Sequence, residues 1–235
     1  MAIARDLPSA GADGPSVVTP SRTGTYGEAY ASVVTNKELF TADEGSYFTA
    51  ITPTPGTGII GHAAPTTFDE AKPYIVLYNS GTKRIYPQFL RLYNTVVSVG
   101  DTRVQFTITT DVGNRRSSAG TALTISKSRL GASASSGAVG FVGAVIGTAA
   151  TGARVIHDNI VFRGTIDVVE DCYEIVFGGL GGGNSTASRV ATVMDASRTT
   201  APIVVEPGNS LCIVQWAGSQ STGPTYAVTL GFIER

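Results

Sequence analysis

The chain has only two histidines, His62 and His157, so few residues are available for a nucleophilic triad or a zinc site. His62 follows a Pro- and Gly-rich segment, which predicts a loop. His157 lies at an alternating position of an apolar run beside Asp158, which predicts a strand. The sequence has no GxSxG, no HExxH and no paired histidine spacing, the patterns that mark serine hydrolases and zinc proteases. The histidines therefore predict neither catalysis nor a metal site.

The two cysteines, Cys172 and Cys212, have neither a CxxC spacing nor a neighbouring histidine, which argues against zinc binding. Each lies in a strand-like apolar run, where isolated cysteines commonly pack as small apolar groups. We therefore expect buried free thiols, and a disulfide between the two is the alternative.

A run of glycines, Gly178 to Asn184 (GGLGGGN), follows a strand-like segment and precedes a candidate short helix. In this order of elements a glycine loop can hold a phosphate at the start of a helix. The dinucleotide motif G-x-G-x-x-G would need glycine where Asn184 stands, and no GK[ST] follows for a nucleoside triphosphate. The run therefore predicts a surface loop at one end of the fold.

Acidic residues are the remaining candidates for catalysis, because a glycosidase needs two carboxyl groups facing each other across a sugar. Sugar-cleaving clefts usually carry clustered aromatic side chains, whereas this chain has a single tryptophan. We therefore predict that the chain is not an enzyme and uses no cofactor or metal, with a carbohydrate-binding sandwich as an alternative. The scattered carboxylates include Asp43, Glu44, Asp69, Glu70, Asp158, Asp167, Glu170, Asp171 and Glu174.

Charge is sparse and balanced, which limits the partners. Charged residues make up 15% of the 235 residues and the formal net charge is −1. Nucleic-acid binding needs clustered Lys and Arg, and the first 45 residues carry only Arg5, Arg22 and Lys37 as cations. We therefore predict no nucleic-acid partner and a surface rich in uncharged polar and small residues, which suits contact with other subunits.

The elements that would position any site are strands. In Thr102 to Asp111 (TRVQFTITTD), Val104, Phe106 and Ile108 alternate with polar residues, which predicts a strand with one face in the core and one in water. Thr225 to Glu234 (TYAVTLGFIE) repeats this alternation. Its apolar face would consist of Tyr226, Val228, Leu230 and Phe232.

A tight turn is predicted at Glu206-Pro207-Gly208-Asn209, because proline presets φ and glycine accepts a positive φ, as a type II turn requires. With Ile203 to Val205 before it and Leu211 to Trp216 after it, the segment predicts a hairpin. Leu211 to Trp216 is apolar on both faces, which indicates a central or covered strand.

The remaining strand candidates bring the predicted total to about nine or ten. Helix is scarce, with a turn at Phe68 to Ala71 and a candidate helix at Ser188 to Met194, too little for a parallel α/β sheet. The predicted fold is all-β, an antiparallel, jelly-roll-like β-sandwich. The candidates are Tyr47 to Ile51, Tyr74 to Tyr78, Arg84 to Ser98 interrupted near Pro87, Ala122 to Ser126, Val155 to Ile166 and Tyr173 to Phe177.

Residues 1–44 are rich in Gly, Pro, Ser and Thr and have no sustained apolar period, which predicts an extended N-terminal arm before a sandwich domain of residues 45–235. A disordered tail seldom keeps many apolar side chains, so we expect the arm to pack on its own domain or on a neighbouring subunit. The candidate contact residues are Tyr26, Tyr30, Val33, Val34, Leu39 and Phe40.

The most apolar small-residue stretch, Gly137 to Ala153, contains many glycines and is shorter than the roughly 20 residues of a membrane span. No charged start followed by an apolar run is visible at Met1 to Ser16, as a signal peptide would require. We therefore predict no membrane partner and synthesis in a host cytoplasm.

Three segments carry a resemblance: Thr41 to Phe68 (TADEGSYFTAITPTPGTGIIGHAAPTTF), Asp111 to Ile125 (DVGNRRSSAGTALTI) and Val205 to Arg235 (VEPGNSLCIVQWAGSQSTGPTYAVTLGFIER). On these segments the chain resembles a family of tailed-phage virion proteins of decoration or unassigned type. The resemblance implies residence in the phage particle. We expect a capsid decoration or cement protein whose partners are the major capsid protein and further copies of itself, assembled as a homotrimer.

Three alternatives remain open at this point. The first is a tail or fibre component of the phage particle, and the second is a carbohydrate-binding module outside the virion. The third is the jelly-roll coat protein of a small non-tailed virus. A main shell subunit of a tailed phage is not expected, because such shells use a fold with a long helix.

Overall fold

The structure is a computed structural model that describes residues 22–23, 29–30, 41–62, 66–97, 99, 103–131, 135–148, 152–163, 169–178, 188–190, 193–218 and 221–235. These residues form a helical turn at 41–43 and sixteen strands. In chain order the strands are β1 (Arg22–Thr23), β2 (Ala29–Tyr30), β3 (Tyr47–Ile51), β4 (Ile59–Ile60), β5 (Ile75–Asn79), β6 (Ile85–Val96), β7 (Arg103–Val112), β8 (Arg116–Ala122), β9 (Thr124–Lys127), β10 (Ala138–Gly147), β11 (Arg154–Arg163), β12 (Cys172–Phe177), β13 (Ser188–Val190), β14 (Val193–Thr200), β15 (Asn209–Trp216) and β16 (Thr225–Glu234).

Two sheets pack face to face, so the predicted all-β sandwich is confirmed. The first sheet has six strands in the order β11-β7-β15-β5-β10-β8. The second has the order β13-β14-β12-β6-β16-β3-β9, and β4 also pairs with β16. The strands β1 and β2 form a separate two-stranded ladder. The total exceeds the predicted nine or ten largely because strands of two or three residues carry too little pattern to be recognised.

The strand pairing is nested in the manner of a jelly roll. The strands β5, β6 and β7 follow one another in the chain, and they pair antiparallel with β15, β12 and β11 respectively. The first strand of the series therefore pairs with the last, and successive pairs alternate between the two sheets. This wrapping buries one face of each sheet against the other.

The predicted helix at Ser188 to Met194 is wrong, because this segment forms β13 and the start of β14. The backbone of β14 pairs in parallel with β12, with Cys172 opposite Asp195, and β13 pairs antiparallel with β14. Ladder pairing outweighs a weak local helix preference. The stretch Gly137 to Ala153 contains β10, a strand between β5 and β8.

The core lies between the sheets and includes one connected group of aromatic rings. Phe106 and Phe162 come from the six-stranded sheet, whereas Tyr173 and Tyr226 come from the eight-stranded sheet. Their ring centroids are 4.9 to 6.2 Å apart, within the range of favourable aromatic pairs. The predicted inward faces of β7 and β16 are therefore confirmed, since Val104, Phe106 and Ile108 are fully buried.

The outer face of β7 is less exposed to solvent than the sequence indicated. Thr107 and Thr109 are both buried on this outer face. The Trp216 Nε1 group donates to the Thr107 hydroxyl at 3.0 Å, and that hydroxyl donates to the Asn159 amide oxygen at 3.1 Å. Because β7 lies between β11 and β15, side chains of both neighbours cover its threonines.

The turn before β15 is confirmed, whereas the hairpin is wrong. Gly208 has a φ of +81° and the Asn209 amide donates to the Glu206 carbonyl at 3.1 Å, as a type II turn requires. Val205, however, forms its backbone bonds with Ile85 of the other sheet. The segment before the turn therefore links the two sheets. The central position predicted for β15 is confirmed, since it lies between β7 and β5.

Alkaline pH is expected to destabilise the fold through two buried groups. Burial raises the pKa of the Tyr74 hydroxyl above 10.0, and burial followed by the Asp111 charge raises the pKa of the Cys212 thiol above 9.0. The native state therefore keeps both protons while the unfolded chain loses them, so stability falls as the pH rises above about 9, by about 1.4 kcal/mol per pH unit for each group ionised only in the unfolded chain. Urea unfolding from pH 7 to 11 measures this slope. The Cys212→Ala variant should show a flatter slope between pH 9 and 10, and a slope equal to that of the wild type would contradict the assignment.

Candidate functional site

The predicted arm contacts lie almost wholly outside the described residues. Tyr26, Val33, Val34, Leu39 and Phe40 are outside them, and Tyr30 is described only as a backbone position of β2 opposite Arg22 in β1. The assignment of these six residues therefore stays a prediction. The same holds for the domain boundary after residue 44.

The segment that leads into the sandwich is well defined, and we call residues 41–46 the root. Thr41 is completely buried, and its carbonyl accepts hydrogen bonds from the Ser46 amide at 2.9 Å and the Ser46 hydroxyl at 3.1 Å. The Gly45 amide donates to the Ala42 carbonyl at 3.0 Å. The root is thus a closed turn that leads directly into β3.

Two ion pairs hold the root to distant parts of the chain. Glu44 accepts from the Arg235 guanidinium at 2.8 Å, and Asp43 lies 3.6 Å from Arg129, which also donates to the Asp43 carbonyl. All four side chains are at least two-fifths exposed, so each pair contributes at most about 1 kcal/mol. Their main consequence is geometric, since they join the root to the turn around Arg129 and to Arg235.

A cavity of about 220 Å³ lies beside the root. It is smaller than the roughly 300 Å³ at which small-molecule and cofactor sites begin. Glu234, the last residue of β16, is 5% exposed and contributes a carboxylate to the lining. The lining residues are Gly45, Ser46, Phe48, Gly81, Thr82, Lys83, Ser135, Gly137 and Glu234.

The opposite end of the sandwich exposes apolar side chains. We call Ile60, Val96, Val97 and Val99 the apolar end; their exposed fractions are 49%, 54%, 37% and 55%. Ile60 and Val96 pair with Thr225 from its two sides. Thr225 begins β16 and Glu234 ends it, so this strand of ten residues, about 34 Å long, separates the apolar end from the root. Neighbouring exposed apolar residues are typical of contact surfaces.

A buried polar cluster lies on the outer face of the six-stranded sheet. Asp111 and Arg115 are both buried, and the Thr109 hydroxyl donates to the Asp111 carboxylate at 2.9 Å. The Arg115 guanidinium donates to the Glu70 carbonyl at 3.4 Å, and the Glu70 carboxylate pairs with Arg154. The segment around Glu70 therefore covers this face, and charged groups of both signs meet beneath it.

His62 lies in the loop after β4 whereas His157 lies on β11, and the two hydrogen bond separately. His62 contacts the Val145 carbonyl at 2.7 Å, and His157 contacts the Thr110 hydroxyl at 2.8 Å. Burial lowers the pKa of His157, so its neutral form is favoured. No group of three or more His, Cys, Asp or Glu suited to a metal ion occurs within the described part of the chain.

Neither cysteine forms a disulfide, and Cys212 is buried as expected, whereas Cys172 is only partly buried. Cys212 lies on the outer face of the six-stranded sheet, away from the core between the sheets, and packs with Val76 and Val145. Cys172 occupies the outward face of the eight-stranded sheet, since its neighbour Tyr173 faces the core. The thiols therefore lie on opposite sides of the sandwich.

The burial of the charged residues Glu234 and Arg115 was not predicted from the sequence. For Glu234 a signal was present, because it continues the core-facing alternation of Tyr226, Val228, Leu230 and Phe232 by one more step. For Arg115 no comparable signal exists, since it follows a turn and is buried by the distant segment around Glu70.

Within the described residues, no helix is long and apolar enough to cross a membrane. Comparisons of the chain with protein-family models, with characterised proteins and with solved structures found no match.

Proposed function

We propose that the chain is a structural protein of a viral particle, which decorates or cements the head of a phage through contacts between subunits. Its partners are the major capsid protein and further copies of itself, as a homotrimer. The N-terminal arm reaches across to neighbouring subunits while the sandwich stands on the shell. No chemical reaction is involved, because added interface stabilises the assembled particle over its dissociated subunits by mass action.

The observation that carries the proposal is the anchored root. Thr41 is completely buried, and the ion pairs of Glu44 and Asp43 orient the segment that follows the arm. A reaching arm requires a firmly held attachment point, because a force on the arm is then transmitted to the sandwich and does not detach β3 from its sheet. The apolar end supplies a second surface for subunit contact.

Low charge also supports the proposal. With 15% charged residues and a net charge of −1, the chain lacks the strong like-charge repulsion that keeps copies apart. Three copies can therefore approach one another at modest electrostatic cost. Stable interfaces bury about 800 Å² per partner, more than the four side chains of the apolar end supply, so arm contacts would have to contribute the remainder.

Deleting residues 1–40 tests the proposal. The cut precedes the buried Thr41 and leaves all root contacts in place, so the sandwich should fold with an unchanged thermal midpoint. Attachment to purified phage heads should fall at least tenfold, measured as copies per particle after sedimentation.

A full-length control separates arm length from arm chemistry. In this control Tyr26, Tyr30, Val33, Val34, Leu39 and Phe40 are all changed to serine, and we expect the same loss of attachment as in the deletion. Unchanged occupancy in both variants would refute the proposal. A few dozen copies or fewer per wild-type particle would assign the protein to the tail, and closed shells formed by the purified protein alone would identify a coat protein.

Carbohydrate binding is a second candidate because of one surface on the eight-stranded sheet. Tyr93 is 40% exposed and shares the outward face of β6 with Arg91, which pairs with Glu174 at 2.8 Å. An exposed ring beside hydrogen-bonding groups can stack on a sugar. A glycan array with the isolated protein decides this, since binding that is lost in Tyr93→Ala would favour the sugar-binding function.

A further inference from the structure

The cavity beside the root has a carboxylate held in a fixed orientation. The Oε1 atom of Glu234 accepts from the Ser136 hydroxyl and from the Gly137 amide, the latter at 3.1 Å, and Oε2 lies 3.2 Å from the same amide. A carboxylate offers about four acceptor positions. Because the Gly137 donor is shared between the two oxygens, Oε2 retains acceptor capacity within the cavity.

The shape of the cavity depends on two glycines that touch. A Cβ added to Gly137 would lie 2.6 Å from the Gly81 Cα, and one added to Gly81 would lie 3.0 Å from the Gly137 Cα. The two backbones therefore meet without side chains beside the carboxylate. Phe48, which is buried, supplies an apolar wall.

We propose that this cavity binds a lysine or arginine side chain of a partner protein. The methylene stem lies along Phe48 and the cationic head donates to the Glu234 carboxylate. A volume of about 220 Å³ suits one long side chain better than a cofactor. The identification of the donor as a neighbouring virion subunit rests on the proposed function, whereas the binding of a cation by the isolated protein does not.

Competing ligands fit this cavity less well. An anion would be repelled by the buried Glu234 carboxylate, and the exposed Lys83 offsets that repulsion only in part. A metal ion would need further ligands, and none of the described acidic, histidine or cysteine clusters meets that requirement. The pairing of a buried carboxylate with a charged donor is the stronger class of hydrogen bond.

Four small aliphatic probes that differ in charge test the proposal by NMR titration of the full chain. These are n-butylammonium, n-butylguanidinium, neutral 1-butanol and anionic butyrate. The two cations should shift the amide signals of Gly45, Gly81 and Gly137 with an affinity at least about fivefold above that of 1-butanol, and butyrate should bind worst. Equal affinity for cations and 1-butanol would overturn the proposal.

Two variants make the result specific. Glu234→Gln keeps the shape and an acceptor oxygen but removes the charge, so the preference for cations over 1-butanol should disappear. Lys83→Gln removes a like charge from an exposed position, and cation affinity should rise about twofold at low salt. If Glu234→Gln fails to fold, Lys83→Gln still decides, because unchanged or weaker cation binding in that variant counts against the site.

Failure of the inference and failure of the proposed function are distinguishable. If the probes bind but folded Glu234→Gln protein still occupies heads fully, the cavity is a cation site that does not serve attachment, and the partner assignment is refuted. If the probes fail to bind while deletion of residues 1–40 abolishes attachment, only the cavity proposal is refuted.

Discussion

Replacing Phe106 by alanine is expected to cost about 3–5 kcal/mol of the free energy of unfolding, the usual range for removing a buried aromatic ring. Phe106 is completely buried, and its ring lies 5.9 Å from Phe162 and 6.2 Å from Tyr226. It therefore contacts a ring on its own sheet and one on the opposite sheet. Its loss leaves a cavity that strands paired on both sides cannot close by moving together.

Urea unfolding followed by tryptophan fluorescence measures this effect, since Trp216 lies on β15 beside β7. Leu130→Ala is the matched control, because Leu130 is fully exposed in a turn and its truncation should change stability by less than about 0.5 kcal/mol. A loss for Phe106→Ala within the range of this control would mean that the aromatic group does not join the two sheets.

The sequence was informative where a strand has one face in the core. The bounds of β3 and β16 were predicted to the residue, and those of β5, β7 and β12 to within one residue. In these strands the alternation of apolar and polar residues is itself produced by the packing of the sheet. A local pattern therefore carries the information.

The pairing of strands could not be predicted from the sequence, because it depends on segments that are distant in the chain. Nothing in Val193 to Thr200 (VMDASRTT) signals a strand that pairs in parallel with β12. β10 was hidden by its glycines, although Gly140 faces the core and a Cβ there would lie 3.0 Å from Leu123. The small residues of this stretch are consistent with close packing.

The candidate site shows the same division between local and distant information. The arm and its apolar contact residues were inferred from composition alone, and they stay a prediction. The root contacts join Glu44 to Arg235 and Asp43 to Arg129, and the cavity unites segments from four parts of the chain. Such contacts become visible only once the fold is known.

Replacing Arg115 by methionine is expected to cost about 1–3 kcal/mol, because it removes the buried donor to the Glu70 carbonyl and leaves the buried Asp111 carboxylate without a nearby positive charge. Asp111 and Arg115 are both buried on the outer face of the six-stranded sheet, and their charges act in opposite directions on the pKa of the Cys212 thiol. The matched control is Arg91→Met, whose ion pair with Glu174 is at the surface and should be worth at most about 1 kcal/mol.

A double-mutant cycle with Asp111→Asn measures the coupling between the two charges. In the wild type the Asp111→Asn change should lower the free energy of unfolding. In the Arg115→Met background it should instead restore about 1–3 kcal/mol of the free energy of unfolding, if the Asp111 charge is destabilising without Arg115. Additive effects would mean that each charge is compensated separately, by Thr109 for Asp111 and by the Glu70 carbonyl for Arg115. A positive coupling would show that the Asp111 and Arg115 charges stabilise each other beneath the segment around Glu70.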